Sequence, residues 1–182
     1  MTAVARPSAL VRELVAICGE QNVFSLPEDT LVFEYDAGFD RRPPLAVVVP
    51  ANAAEISACV RAARRAGVAV VPRGAGTGLS GGTIACADAV VIATARLRRI
   101  VEIDPVSRVA VVEPGVPNLA VSVAARAHGL FFAPDPASQR VSSIGGNIGT
   151  NAGGPHALRY GSVVDHVLAV EMVMPDGDIA VF

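Results

Sequence analysis

Pro72-Arg73-Gly74-Ala75-Gly76-Thr77-Gly78-Leu79-Ser80-Gly81-Gly82 lies between two apolar runs, Val68–Val71 and Ala89–Ala93. A β-strand therefore leads into a glycine-rich loop, and a second strand follows it. Such a loop turns its backbone N–H groups toward an anion, most often a phosphate. Within it, Gly76 to Gly81 formally match the G-x-G-x-x-G pattern of nicotinamide dinucleotide sites. That pattern requires the loop to open a helix. The stretch 83–88 is too short for one before the next strand, so the nicotinamide reading is rejected.

Upstream, Leu45–Val49 is a short apolar run closed by Pro50. Asn52 and Glu55 have capping-box spacing, which predicts a helix over 53–66 stopped by Gly67. Strand, helix and strand in this order imply a small parallel unit with a crossover helix. Leu10, Val11, Leu14, Val15 and Ile17 predict an earlier helix over 8–18, ended at Gly19. Residues 20–44 read as turn-rich.

Downstream, Ile100–Ile103 and Val109–Glu113 suggest a hairpin around Asp104-Pro105. A helix is predicted over 117–128, with Pro117 at its start and Gly129 as its stop. Residues 133–161 form a second long loop, rich in proline, glycine and asparagine, and loops of that length are usually functional. Two strands, His166–Met174 and Asp178–Phe182, flank the turn Pro175-Asp176-Gly177. The last strand has no partner or cap after it, an edge liability that leads us to expect a truncated chain.

Of the 17 glycines, five fall in Gly74–Gly82 and five in Gly145–Gly154. Glycine costs conformational entropy, so this clustering requires either tight turns or a ligand approaching the main chain. Two dense loops in one short chain favour the ligand.

Composition narrows the classes. The chain is 52% hydrophobic and 18% charged with net charge −2, which indicates a globular protein. Aromatics are 4% and no basic stripe occurs, so nucleic-acid binding has no support. All 15 basic residues are arginine, which excludes a Walker-type phosphate lysine and a lysine Schiff base. Cys18, Cys59 and Cys86 fit neither a zinc site nor a disulfide framework and read as buried thiols. No signal peptide or transmembrane run is present, and a cytoplasmic location is expected.

The glycine loop resembles the pyrophosphate loop of FAD-linked oxidases of the vanillyl-alcohol oxidase type, the PCMH-type FAD-binding family. Asp135-Pro136-Ala137-Ser138-Gln139, Ser143-Ile144-Gly145-Gly146-Asn147 and Thr150-Asn151-Ala152-Gly153-Gly154 resemble its second FAD-binding stretch. Glu113-Pro114-Gly115 and Leu158-Arg159-Tyr160-Gly161 fit as well. The likeness covers about residues 30–182 and points to the glycolate oxidase and D-lactate dehydrogenase branch.

The resemblance implies an α+β fold. A lead-in over 1–44 precedes a first FAD-binding subdomain over 45–99 with a small parallel sheet. A second, antiparallel and incomplete subdomain spans 100–182, and the cap domain for substrate is absent. Pro72, Arg73, Gly74, Ala75, Gly76, Thr77, Gly78 and Ser80 would surround the pyrophosphate. Asp135, Ser142, Ser143, Gly145, Gly146, Thr150, Asn151, Ala152 and Gly153 would line the ribityl chain and flavin.

Arg73 offers charge to the cofactor or forms a surface ion pair. Asn147 and Asn151 bond the cofactor or fix the loop. Relatives that link flavin covalently use a histidine where this chain has Thr77, so the resemblance implies non-covalent FAD. It also implies oxidation of a small 2-hydroxy acid by hydride transfer to flavin N5, with companion oxidoreductase subunits as partners. The alternative is a non-catalytic FAD-binding module or an inactive fragment.

The three histidines show no metal-ligand spacing, and no metal is expected. His128 is placed at a helix end and His166 at the start of a strand. His156 lies in the second loop, as a solvated side chain or as one facing the substrate.

Overall fold

Strand β2 (Ala46–Val48) and strand β3 (Val70–Arg73) do not pair with each other; β4 (Val90–Ala93) enters between them and runs parallel to both. This is the arrangement in a computed structural model that describes residues 8–86 and 88–182. Every residue of β4 is buried, as expected of a central parallel strand covered on both faces. The helix α3 (Ala53–Arg65) makes the crossover from β2 to β3. Asn52 caps it by accepting from the Glu55 N–H at 2.8 Å. The Glu55 carboxylate reaches back to the Ala51 N–H at 2.7 Å, one residue before the predicted partner.

Successive residues of these strands face opposite ways. Ala46, Val48, Val90 and Ile92 join Cys59 and Ala62 of α3 and Leu10, Val11 and Leu14 of α1 (Ala9–Cys18) in one core. Val47, Val91 and Ala93 pack on the other side with Ala85, Ala89, Phe24 and Phe33. Helix α1 starts at Ser8, which accepts from the Val11 N–H at 3.2 Å, and ends at Gly19 with φ of 84°. Cys18 and Cys59 are buried free thiols, as expected, but Cys86 is exposed, because it sits in the connection between β3 and β4 rather than in the core.

The region 20–44 departs from its turn-rich reading. It contains β1 (Val23–Phe24), which extends the sheet by antiparallel pairing with β2, and the short helix α2 (Pro27–Thr30). The sheet order is therefore β1-β2-β4-β3. Two residues are too few for a period-2 pattern to declare itself.

The predicted hairpin forms from β5 (Ile100–Asp104) and β6 (Val109–Val112), with an irregularity between Ile100 and Glu102. Helix α4 (Asn118–Ala125) continues as a 3-10 turn to His128 and stops at Gly129 with φ of 70°. Val116 and Val121 build a third core with Ile144, Ile100 and Val112.

The stretch 133–161 is not one irregular loop. It holds α5 (Ile144–Gly149), capped by Ser143, and α6 (Ala157–Tyr160). Three glycines make α5 a poor helix by propensity, and packing overrides that preference.

His166 closes a 3-10 turn, Val163–His166, rather than opening a strand; Ser162 and Asp165 form a capping box there. The final hairpin is β7 (Glu171–Val173) with β8 (Ile179–Val181), shorter than predicted. Its turn is fixed to α3 by Ser57, which donates to the Gly177 carbonyl, and by an Arg61–Asp178 ion pair of 2.8 Å. The architecture is mixed α and β: a small, mostly parallel sheet plus two antiparallel hairpins.

Candidate cofactor site

Arg73 ends β3, and its side chain turns inward beneath the loop that follows. It is 7% exposed, so the surface ion pair considered from sequence is not formed. Its Nη2 donates to the carbonyl of Tyr35 at 2.8 Å and approaches that of Val32 at 3.4 Å. Nη1 lies 3.5 Å from the Thr83 hydroxyl, and the guanidinium stands 5.6 Å from the Phe33 ring centre. Burial lowers the arginine pKa, and the Asp36 carboxylate opposes that shift. Arg73 is thus a buried strut holding the lead-in segment against the loop.

The loop itself keeps its main chain open. Among the described residues, no backbone N–H from Gly74 to Ser80 donates to a protein acceptor. Gly76 has φ of 69°, and a Cβ there would run into the Arg73 guanidinium. The Gly78 carbonyl accepts from the Ala37 N–H at 3.0 Å, which ties the loop to the lead-in a second time. Pro72, Ala75 and Ser80 are exposed, and Thr77 is half-buried. Among the described residues, no helix follows the loop before β4, consistent with rejecting a nicotinamide-type site.

The second glycine stretch meets the first. A Cβ on Gly74 would collide with the Ser143 Oγ and come within 3.6 Å of the Gly146 Cα. Ser142 and Ser143 are both buried, at 2% and 5% exposure. Ser143 Oγ accepts from the Gly146 N–H at 3.3 Å, while Ser142 Oγ is buried with no partner among the described residues. The Gly145 N–H donates to the Pro114 carbonyl at 2.8 Å, which places Glu113-Pro114-Gly115 directly behind the stretch.

Several predicted site residues hold the stretch together. Asn147 is buried and accepts from Asn118 Nδ2 at 2.9 Å, so it fixes the loop. Asn118 also donates to the Pro134 carbonyl at 3.1 Å. Sequence reasoning missed this residue, because an asparagine just inside a predicted helix carries no distinctive signal. Asn151 has φ of 47° and accepts from the Val164 N–H at 3.0 Å. Thr150 Oγ donates to the Gly146 carbonyl at 3.0 Å. The Ala152 N–H donates to the Asn147 carbonyl at 2.9 Å, and Gly153 beside it is half-buried.

Asp135 and His156 form a pair at the end of the stretch. His156 donates its backbone N–H to Asp135 Oδ1 at 3.2 Å, and its Nδ1 lies 2.5 Å from Oδ2. Desolvation pushes the Asp135 carboxyl up, but the hydrogen bonds from His156 outweigh it and hold the carboxyl below its usual value. His156 is therefore neither freely solvated nor isolated, although its ring remains largely exposed.

Comparison with known proteins agrees with this geometry. The family described as FAD binding domain matches residues 44–182. The glycolate oxidase subunit GlcD of Escherichia coli K12 is 45% identical over 152 residues, covering 83% of this chain and 30% of that protein. The D-lactate dehydrogenase of Archaeoglobus fulgidus is 39% identical over 150 residues, covering 78% of this chain and 33% of that protein. The chain thus spans about a third of the length of these relatives.

Solved structures share the fold at low identity. Alkyldihydroxyacetonephosphate synthase superposes with a TM-score of 0.83 at 20% identity, over 93% of this chain and 33% of that one. The grass pollen allergen Phl p 4 gives 0.81 at 20% identity, over 95% and 37%.

The residues present fit the cofactor these comparisons imply. A run of unused N–H donors, with no side chain at Gly74, Gly76 or Gly78, suits a diphosphate better than an apolar group. The chain belongs to the FAD-binding domain family, with FAD as its cofactor.

Proposed function

We propose that this chain is the FAD-binding portion of a flavoprotein that oxidises a small 2-hydroxy acid of the glycolate or D-lactate type. The observation that carries the reading is the open donor run from Gly74 to Ser80 lying against Ser143 and Gly146. The relatives at 39–45% identity are named for glycolate and D-lactate, which supports the substrate class.

In this reading Gly74 to Gly78 hold the diphosphate through main-chain N–H groups, and Thr77 adds its hydroxyl. Pro72, Ala75 and Ser80 border that loop. The two subdomains expected from the sequence, 45–99 and 100–182, would enclose the cofactor between them. Ser142, Ser143, Gly145, Gly146, Thr150, Asn151, Ala152, Gly153 and Asp135 form the wall on the second side. FAD supplies a hydride acceptor at N5, and the protein supplies position and electrostatics. Thr77 carries no nucleophile suited to the known histidine linkage, so binding is non-covalent. The substrate contacts come from a cap domain outside residues 1–182, and companion oxidoreductase subunits take the electrons. A cytoplasmic site fits the two core thiols Cys18 and Cys59, which are free.

The test is dye reduction by the FAD-loaded full-length protein with glycolate, D-lactate, L-lactate and D-2-hydroxyglutarate. Turnover of at least one D- or achiral 2-hydroxy acid is expected. A loaded protein that reduces dye only with sugars or simple alcohols would overturn the substrate class.

A further inference from the structure

Asp36 lies outside the residues matched by the family, yet it sits under the first glycine loop. It is 5% exposed. Its Oδ1 accepts from the Gly38 N–H at 2.7 Å, and its Oδ2 is buried with no partner among the described residues. A buried carboxylate oxygen without a donor costs free energy, so its retention calls for a function. Oδ2 faces Gly78: a Cβ on that glycine would lie 3.9 Å from it. On the other side, Asp36 is the charged neighbour whose field acts on the buried Arg73 guanidinium. The residues flanking Asp36 also hold the loop, because the Tyr35 carbonyl accepts from Arg73 and the Ala37 N–H donates to the Gly78 carbonyl.

We propose that Asp36 is a positioning residue for diphosphate binding: it holds Arg73 and the Gly78 end of the loop so that the free N–H groups from Gly74 to Ser80 converge on the two phosphates. This rests on the assignment of FAD to the loop. Asp36 does not touch the cofactor. Its negative charge acts on the buried Arg73 guanidinium, and its Oδ2 faces the loop main chain at Gly78. The lead-in segment is on this view part of the cofactor site rather than a tether before it.

The test compares the wild-type full-length protein with Asp36→Asn and Asp36→Ala. FAD, ADP and riboflavin affinities are measured by titration, and melting is measured without ligand. Asparagine preserves shape and the bond from Gly38, so it isolates the charge and the second oxygen. We expect FAD and ADP to bind at least tenfold more weakly in both variants, with riboflavin affinity within twofold of wild type. A fall in riboflavin affinity as large as that for ADP, or unchanged ADP affinity, would overturn the proposal.

A wild-type measurement stands beside the variants if they fail to fold. ADP should slow hydrogen exchange at Ala37 and Gly38, whose N–H groups hold the loop and Asp36; no change there would also overturn it. Wild type that binds neither FAD nor ADP would instead remove the cofactor assignment.

Discussion

The Ser143 hydroxyl occupies the space that a side chain on Gly74 would need, and this contact joins the two glycine-rich stretches. The nearest remaining atoms, Ser143 Cβ and Gly146 Cα, both lie at 3.6 Å, an ordinary packing distance. The obstruction is therefore a single oxygen. Gly74→Ala is expected to reduce FAD affinity at least tenfold by prising the stretches apart. Ser143→Ala alone should cost about 1 kcal/mol through the lost cap of α5. The double variant should bind FAD better than Gly74→Ala, because the oxygen in the way is gone. Titration of the three variants checks this, and additive losses would show that the contact does not limit the site.

Gly76 presents a different obstacle. Its φ of 69° disfavours any side chain by about 1–2 kcal/mol. A Cβ there also strikes the Arg73 guanidinium, which the lead-in carbonyls of Val32 and Tyr35 hold in place. The sequence alone suggests that Gly76→Val weakens FAD binding more than folding. With the arginine buried below the loop, the substitution should lower both. The melting temperature of the FAD-free protein is expected to fall by several degrees. An unchanged melt with lost flavin would mean that Arg73 moves aside freely.

Much of this was legible before the structure. The strand–loop–strand order around Pro72–Gly82 and the helix over 53–66 follow from local signals: apolar runs, a capping pair and glycine stops. What was not legible depends on contacts between distant residues. Arg73 carries no mark of burial in the sequence, since its partners are main-chain carbonyls some forty residues away. Helix α5 reads as loop in the sequence because Gly145, Gly146 and Gly149 disfavour helix locally; the Ser143 cap and the Gly145–Pro114 bond supply what propensity lacks. Strand β1 is two residues long and exists through its pairing with Val47 and Val48.

Thr77 leads to a chemical prediction. Its hydroxyl cannot form the link that a histidine makes in covalent flavoproteins. Acid precipitation of the full-length protein should leave the flavin in the supernatant, as seen by its absorbance. Flavin retained in the pellet would point to a linkage at another residue.

The Asp135–His156 pair predicts a pH effect. The folded carboxyl has a pKa below its usual value, while the unfolded one titrates near about 3.9. A depressed folded pKa adds stability that is fully present above the unfolded pKa and disappears as pH falls through the folded one. Asp104 and Glu113 are lowered as well, so all three contribute to acid sensitivity. Asp135→Asn should leave a shallower loss of melting temperature below about pH 4 than wild type shows. Parallel curves for the two proteins would mean that the pair does not persist in solution.

Asn118 is a buried residue that holds the second stretch from behind. It is 1% exposed, and its one amide nitrogen serves both the Pro134 carbonyl and Asn147 Oδ1. Removing it leaves two buried acceptors without a donor, and each orphaned group costs about 1–3 kcal/mol. Asn118→Ala should therefore destabilise the protein by about 2–6 kcal/mol, measured by denaturant unfolding. Asn118→Asp keeps the shape but replaces the donor by an acceptor facing two acceptors, so it should be worse than alanine. Asn147→Ala removes one of the two acceptors together with its need for a donor, and should be milder than either change at Asn118. The order Asp, then Ala, then the Asn147 variant follows from counting donors and acceptors. A reversed order would mean that the two amides are not bonded as the structure has them.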